Sequence, residues 1–320
     1  MDIAVASEGD IAGIISLMRS SLGEDLMPKS EDFFRWKHYE NPFGKSKILL
    51  AKEGSRLVGL RAFMRWKWSA KGHVISAMRA VDTATDPDYQ GRGIFSKLTM
   101  QAVEECKKEG VEMLFNTPNL ISKKGYLKMG WKEVGKMPLF FSVGSIFPIS
   151  FSESLSAEIL SEYNISEKLS SFDNHWALST LSNFYYTPIS FEFLNWRYKN
   201  CPIVKYGMIS EGDEFGIIFR IKPFNRFIEL RICEIWTSSE GTSQKKIRDS
   251  IKTLIKKIRP LFVSCTYSPM LNNKYHYLPG LFGPFYKGPI VTIRSLCLED
   301  LDNFINFKNW QPSIGSMELF

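Results

Sequence analysis

Apolar residues recur along this chain with two different periods, and the switches between them mark out elements. Ile3 to Ala6 reads as a short first strand, and Glu8-Gly9-Asp10 then precedes an amphipathic helical run through Ile11, Ile14, Ile15 and Met18. Trp66 and Trp68 alternate along a strand, as do the apolar and polar residues from Met78 to Ala84. Ile94, Leu98, Ala102 and Cys106 recur at helical spacing, with Lys107 and Lys108 at the negative end and Gly110 as a stop. Val111 to Phe115 is the next strand. Far downstream, Ile247, Ile251, Leu254 and Ile258 form one face of a helix whose Lys and Arg residues, between Lys245 and Arg259, form its solvated side. Between Ser142 and Asp173 lies a serine-rich stretch with little apolar order beyond a short helix near Leu155 to Tyr163.

With 320 residues, 44% hydrophobic and 23% charged, the chain has the composition of a soluble globular protein with material for two domains. No stretch is long and apolar enough to span a bilayer, and the acidic residues Asp2, Glu8 and Asp10 stand where a signal peptide would be basic; no membrane partner is expected. Five scattered cysteines (Cys106, Cys201, Cys233, Cys265, Cys297) point to a reducing, cytoplasmic compartment. The four histidines (His38, His73, His175, His276) show no metal-ligand spacing, so no metal is expected. A net charge of +7 suits an anionic ligand, although the solvated helix face explains much of it, and nucleic acid is not the expected partner.

The segment Gln90-Gly91-Arg92-Gly93-Ile94-Phe95 joins the Met78–Ala84 strand to the helix after it. Glycine permits positive φ and close approach, so several N–H groups can converge on a phosphate at the positive end of that helix. Strand, glycine loop, helix and strand make a phosphate-binding unit. Downstream stand Asn119, Ser122, Tyr126, Gly130 and Trp131, spaced N-x-x-S-x-x-x-Y-x-x-x-G-W. The two motifs together resemble the acetyl-CoA loop and late signature of the GNAT N-acetyltransferases, over roughly residues 1 to 141. Phe95 departs from the family, which usually has Gly or Ala there.

The resemblance implies acetyl-CoA as acyl donor and an α/β (α+β) fold with a mixed central sheet flanked by helices. It implies main-chain contacts to the diphosphate from Gln90, Gly91, Arg92, Gly93, Ile94 and Phe95, with Arg92 also able to meet phosphate. Backbone groups of Val81, Thr83 and Thr85 would pair with the pantetheine arm like an added strand. Asn119 and Ser122 would lie near the cofactor, although Asn119 after Pro118 could equally cap the following helix. Tyr126 is the expected acid that protonates the departing thiolate. Asp82 leads the candidates for general base, ahead of Glu40, His38, His73 and, by analogy with some tandem GNAT enzymes, a terminal carboxylate at Phe320.

An internal repeat extends this reading. Ser30, Phe33, Trp36 and Pro42 recur as Ser190, Phe193, Trp196 and Pro202, displaced by 160 residues. Met78, Arg79 and Asp82 then match Leu230, Arg231 and Glu234 at 152, and Tyr126 matches Tyr277 at 151. The second copy has only one glycine between Ser238 and Ile247, gains Glu240, and carries Met270 opposite Asn119. Two tandem GNAT-like domains are therefore expected, a catalytic one over 1–145 and a degenerate one over 173–320, with a Ser-rich linker at 146–172.

The implied reaction is acetyl transfer to a primary amine of a small molecule. Gly125 to Gly135 resembles GNAT proteins associated with bacterial surface-polysaccharide synthesis, which implies an amino sugar, nucleotide-linked or free. Two other classes stand beside it: a Fem-like aminoacyl transferase using charged transfer RNA, against which the intact glycine loop argues, and a non-catalytic acyl-CoA-binding module, for which Tyr126 would be superfluous.

Overall fold

The structure, a computed structural model, describes residues 1–23, 28–170, 184–211, 214–237, 244–266, 280–298 and 301–317. The first part of the chain gives β1 (Asp2–Val5), α1 (Ile11–Leu22), α2 (Glu31–His38), β2 (Lys47–Glu53), β3 (Arg56–Ala70) and β4 (His73–Thr85). There follow α3 (Ile94–Lys108), β5 (Met113–Asn116), α4 (Leu120–Lys128), β6 (Lys132–Lys136) and β7 (Leu139–Val143). The remainder gives α5 (Glu153–Glu162), α6 (Ile165–Ser170), α7 (Phe191–Leu194), β8 (Gly207–Glu211), β9 (Phe215–Phe224) and β10 (Phe227–Thr237). Last come α8 (Gln244–Ile258), β11 (Phe262–Thr266), β12 (Leu281–Phe285), β13 (Ile290–Ser295) and a short helix, Ile314–Met317. The chain is thus a mixed α/β protein with two mixed sheets flanked by helices, the fold class that the resemblance implies.

The strands form a seven-stranded sheet ordered β1-β2-β3-β4-β5-β13-β6 and a six-stranded sheet ordered β12-β7-β11-β10-β9-β8. Each contains one described parallel pair, β4 with β5 and β10 with β11. Each of those pairs is joined by a 15-residue helix, α3 or α8, because parallel neighbours need a crossover. The buried stripe Ile247, Ile251, Leu254, Ile255 and Ile258 packs α8 onto the second sheet, and Ile94, Leu98, Ala102, Val103 and Cys106 do the same for α3 on the first.

The sheets do not divide at a single point along the chain. β7 lies in the second sheet between β12 and β11, while β13 inserts into the first between β5 and β6. The serine-rich stretch expected as a linker contains α5 and α6, whose Ile159, Ile165 and Leu169 are buried; the rest of it, from residue 171, lies outside the described residues.

Between the sheets sits an aromatic core in which Trp66, Trp68, Trp196, Trp236 and Trp310 are all buried. The repeated residues meet at its centre. Trp36 and Trp196 stack with centroids 5.0 Å apart, and each indole N–H donates to the other's backbone carbonyl, at 2.6 and 2.7 Å. Ser30 caps α2 through the Phe33 N–H, and Ser190 caps α7 through the Phe193 N–H. His38 pairs with Asp82 at 2.7 Å where Tyr198 pairs with Glu234 at 2.6 Å. Beside β4, Arg79 donates to the Ser316 and Met317 carbonyls and Arg197 to that of Gly315, which fixes the Ile314–Met317 helix.

Candidate acetyl-CoA site

The first sheet opens where the sequence places the chemistry. β4 and β5 pair only from Ala77–Met113 to Arg79–Phe115, and β4 continues to Thr85 while β5 ends at Asn116. Its other edge stays zipped to β3, with a register shift between Arg61 and Phe63 that makes a bulge at Val81 and Asp82. The stretch of β4 after Arg79 therefore has no β5 partner. Val81 and Thr83 lie half-buried on this stretch. Thr85, expected to join them, is engaged elsewhere: its N–H and carbonyl both bond the Ser21 hydroxyl of α1.

Past β4 the chain makes a 3-10 turn at Pro87–Tyr89, capped by Asp86, and Arg56 clamps Asp86 and Asp88 at 2.8 to 3.0 Å. Gly91 (φ +76°) and Gly93 (φ +74°) then adopt left-handed backbone that other residues adopt only at a cost. A side chain at either would meet nothing within 4 Å, so the glycines serve conformation rather than close packing. Gly93 begins α3 with no side-chain cap, and no described hydrogen bond engages the N–H groups of Ile94, Phe95 or Ser96. An exposed, uncapped start of a 15-residue helix is a ready anion cradle. Gln90 and Arg92 flank it; Arg92 lies over the Tyr89 ring and donates to the Asp88 carbonyl.

Phe95 occupies the first turn of α3 and packs edge-on against Tyr126, centroids 5.5 Å apart. Gly125 makes the room: a Cβ there would approach Phe95 to 3.0 Å. Asn119 caps α4, its Oδ1 accepting from Ile121 N–H, Ser122 N–H and the Ser122 hydroxyl. Of the two roles open to Asn119 in the sequence, the cap is the one seen, and Ser122 serves the same cap.

Tyr126 is buried among Phe95, Trp131 and Arg61. Its oxygen accepts from Arg61 Nη2 at 2.5 Å, and its own hydrogen has no acceptor among the described residues. Arg61, on β3, is fully buried, lies over the rings of Phe63, Phe95 and Tyr126, and its Nε and Nη1 have no hydrogen-bond partner among the described residues. Sequence reading passed it over, because one arginine in an alternating strand carries no sign of burial.

Asp82 is bound on the opposite side, by Lys37 Nζ at 2.9 Å and His38 Nε2 at 2.7 Å, and His38 Nδ1 meets Ser46 Oγ at 2.8 Å. Burial alone would raise its pKa, but the Lys37 charge and the His38 hydrogen bond outweigh burial and hold the carboxyl well below the usual range. Burial likewise pushes His38 down, against the pull of Asp82. Of the weaker base candidates, Glu40 is exposed and His73 stands at the far end of β4 from Asp82. Phe320, Glu240 and Met270 lie outside the described residues. Among the described residues no three His, Cys, Asp or Glu side chains group as metal ligands.

A family model described as an acetyltransferase (GNAT) domain matches residues 2–134. A probable N-acyltransferase of Enterococcus faecalis superposes with a TM-score of 0.62 at 12% identity, over 93% of this chain and 73% of that one. A GCN5-related N-acetyltransferase of Anabaena variabilis gives 0.63 at 13%, over 92% and 72%. The N-myristoyltransferase of Saccharomyces cerevisiae, with bound myristoyl-CoA, gives 0.51 at 8%, over 92% and 78%. No curated protein matches the chain. The glycine loop, the opened sheet and the buried tyrosine thus all lie within the stretch, residues 2–134, that is similar to a GNAT acetyltransferase domain.

Proposed function

We propose that the protein moves an acetyl group from acetyl-CoA to a primary amine of a small acceptor. The observation that carries this reading is the uncapped start of α3 beside the unpartnered edge of β4. The N–H groups of residues 94–96 would take the diphosphate, with Gln90 to Gly93 around it, and the free edge at Val81 and Thr83 would take the pantetheine amides. In the transfer, the amine nitrogen bonds the carbonyl carbon, the C–S bond breaks, and the thiolate takes a proton from Tyr126, whose hydrogen is uncommitted. Asp82 has the wrong proton affinity for a base, since a carboxylate held so firmly ionised accepts protons poorly. Its negative charge would instead attract and orient the acceptor's ammonium group, with water taking the proton.

We read the two halves, residues 1–145 and 173–320, as copies of one unit, the second without a working cofactor loop. The reciprocal tryptophan bonds, the matched serine caps and the equal helices α3 and α8 support this. For the acceptor, the resemblance of Gly125 to Gly135 to polysaccharide-associated GNAT proteins favours an amino sugar. Calorimetry with acetyl-CoA, followed by free-thiol release over amino sugars, polyamines, aminoglycosides and peptides, tests the reading. Absence of acetyl-CoA binding would end it; binding without thiol release on any amine would leave only the sensing module.

A further inference from the structure

One end of the second sheet presents apolar side chains to water on a fixed backbone. After β7 the chain turns through Gly144 to Phe151, and Ile146 and Phe147 are 86% and 73% exposed, with Val143 (59%) and Phe224 (43%) beside them. This loop is tied down at many points. Gly144 N–H donates to the Leu261 carbonyl, Ser145 N–H to that of Pro260 and Ile149 N–H to that of Arg259. Phe147 N–H donates to Ser145 Oγ, and the Arg259 guanidinium donates twice to the Phe147 carbonyl, at 2.7 and 3.0 Å. Phe151 N–H donates to the Arg226 carbonyl. The approach at Gly144 is so close that a Cβ there would lie 2.1 Å from the Pro260 oxygen. Two large apolar side chains held out by such a framework, rather than folded back, mark a surface that meets something.

The charge around them says what. Three of the chain segments at this end, residues 139–152, 215–228 and 253–266, contain no Asp or Glu and carry six basic residues: Arg220, Lys222, Arg226, Lys256, Lys257 and Arg259; the adjoining α5 brings Glu153, Glu158 and Glu162. Lys257 is paired with Glu162, but Arg226, Lys256 and Arg259 are exposed beside the apolar tip. Apolar side chains at a point, ringed by cations, match the acyl boundary and headgroups of an anionic bilayer. A second copy of this chain would bring like charges together.

We propose that this end of the second sheet docks on an anionic phospholipid surface, with Ile146 and Phe147 inserted at the acyl boundary and Arg226, Lys256 and Arg259 against the headgroup phosphates. The contact is peripheral, for no described helix is long and apolar enough to cross a membrane. It stands independently of the catalytic reading.

The test is flotation of the full chain with vesicles of phosphatidylcholine alone or mixed in equal parts with phosphatidylglycerol. Binding to the anionic vesicles should exceed binding to the neutral ones on the order of 10- to 100-fold and fall with added salt. The double substitution Ile146→Ser, Phe147→Ser and the separate Arg226→Glu should each reduce it by about tenfold, with unchanged circular dichroism and thermal unfolding. Failure to float, equal binding to both vesicles, or indifference to both variants would overturn the proposal. So would light scattering that shows a dimer dissolved by the Ile146→Ser, Phe147→Ser change, because a second copy would then own the surface.

Discussion

Replacing Arg61 by methionine probes the mechanism more sharply than removing Tyr126 itself. The guanidinium donates to the phenol oxygen at 2.5 Å and has no other hydrogen-bond partner among the described residues, so its contribution can be isolated. In the proposed transfer Tyr126 would give up its proton, and that contact would then join two opposite charges inside an apolar cage, a contribution of about 1.5–3 kcal/mol. At about 1.4 kcal/mol per tenfold, Arg61→Met should lower the rate of the chemical step by roughly 10- to 150-fold. Stability should move the other way or hardly at all, since a buried cation without a carboxylate is removed and a flexible apolar chain fills its place. The assay is single-turnover thiol release with acetyl-CoA saturating, in the wild type, Arg61→Met, Tyr126→Phe and the double variant. Coupling requires that the Arg61 effect nearly vanish once the phenol is gone. A wild-type rate in Arg61→Met, or an equal loss with and without the Tyr126 hydroxyl, would refute the assignment of both residues.

Gly93→Ala forces a side chain into left-handed backbone at a cost of about 1–2 kcal/mol and should weaken acetyl-CoA binding several-fold by calorimetry, with little change for the same substitution at Gly13 in α1. Trp36→Phe and Trp196→Phe each delete one half of a reciprocal pair and leave a buried carbonyl unmet, so urea unfolding should show similar losses, about 1–3 kcal/mol each. Glu234 is pushed up to about 7 by burial, against hydrogen bonds from Ser313 and Tyr198 and the charge of Arg197, whereas 4.5 is ordinary. A folded carboxyl that holds its proton more tightly than the unfolded one stabilises below pH 4.5, and that stability is lost as pH rises towards 7. The loss should reach about 3 kcal/mol at most and disappear in Glu234→Gln, as measured by urea titration across that range.

Local chemistry was readable from the sequence; long-range pairing was not. The glycine loop and α3 announce themselves because positive φ, helical period and end charges all fall within twenty residues. The Trp36 and Trp196 anchors were legible because they occur twice. By contrast, Ile290–Ser295 reads simply as a strand, and nothing in its own residues says that it pairs with β5, which lies more than half the chain earlier. Arg61 is one position in an alternating strand, and its burial depends on Phe95 and Tyr126 arriving from two other elements. Asn119 offered two roles with one side chain, and only its position at the start of α4 decides between them. The tip at Ile146 and Phe147 sits in a stretch without charges that reads as connecting chain, because exposure is a property of what the neighbours leave uncovered.

The placement of β7 in the second sheet and β13 in the first makes the two sheets mutually dependent. Severing the polypeptide after residue 145 would leave β5 and β6 without the strand that joins them, and would deprive β11 and β12 of the one between them. Each fragment would expose raw strand edges that invite aggregation. Because the first sheet is finished only by β13, a nascent ribosomal product cannot complete that sheet until residues 290–295 have been made, and assembly must wait for a contact of very high sequence separation. Such interlacing also discourages genetic shuffling: neither half can be traded away as a free-standing module.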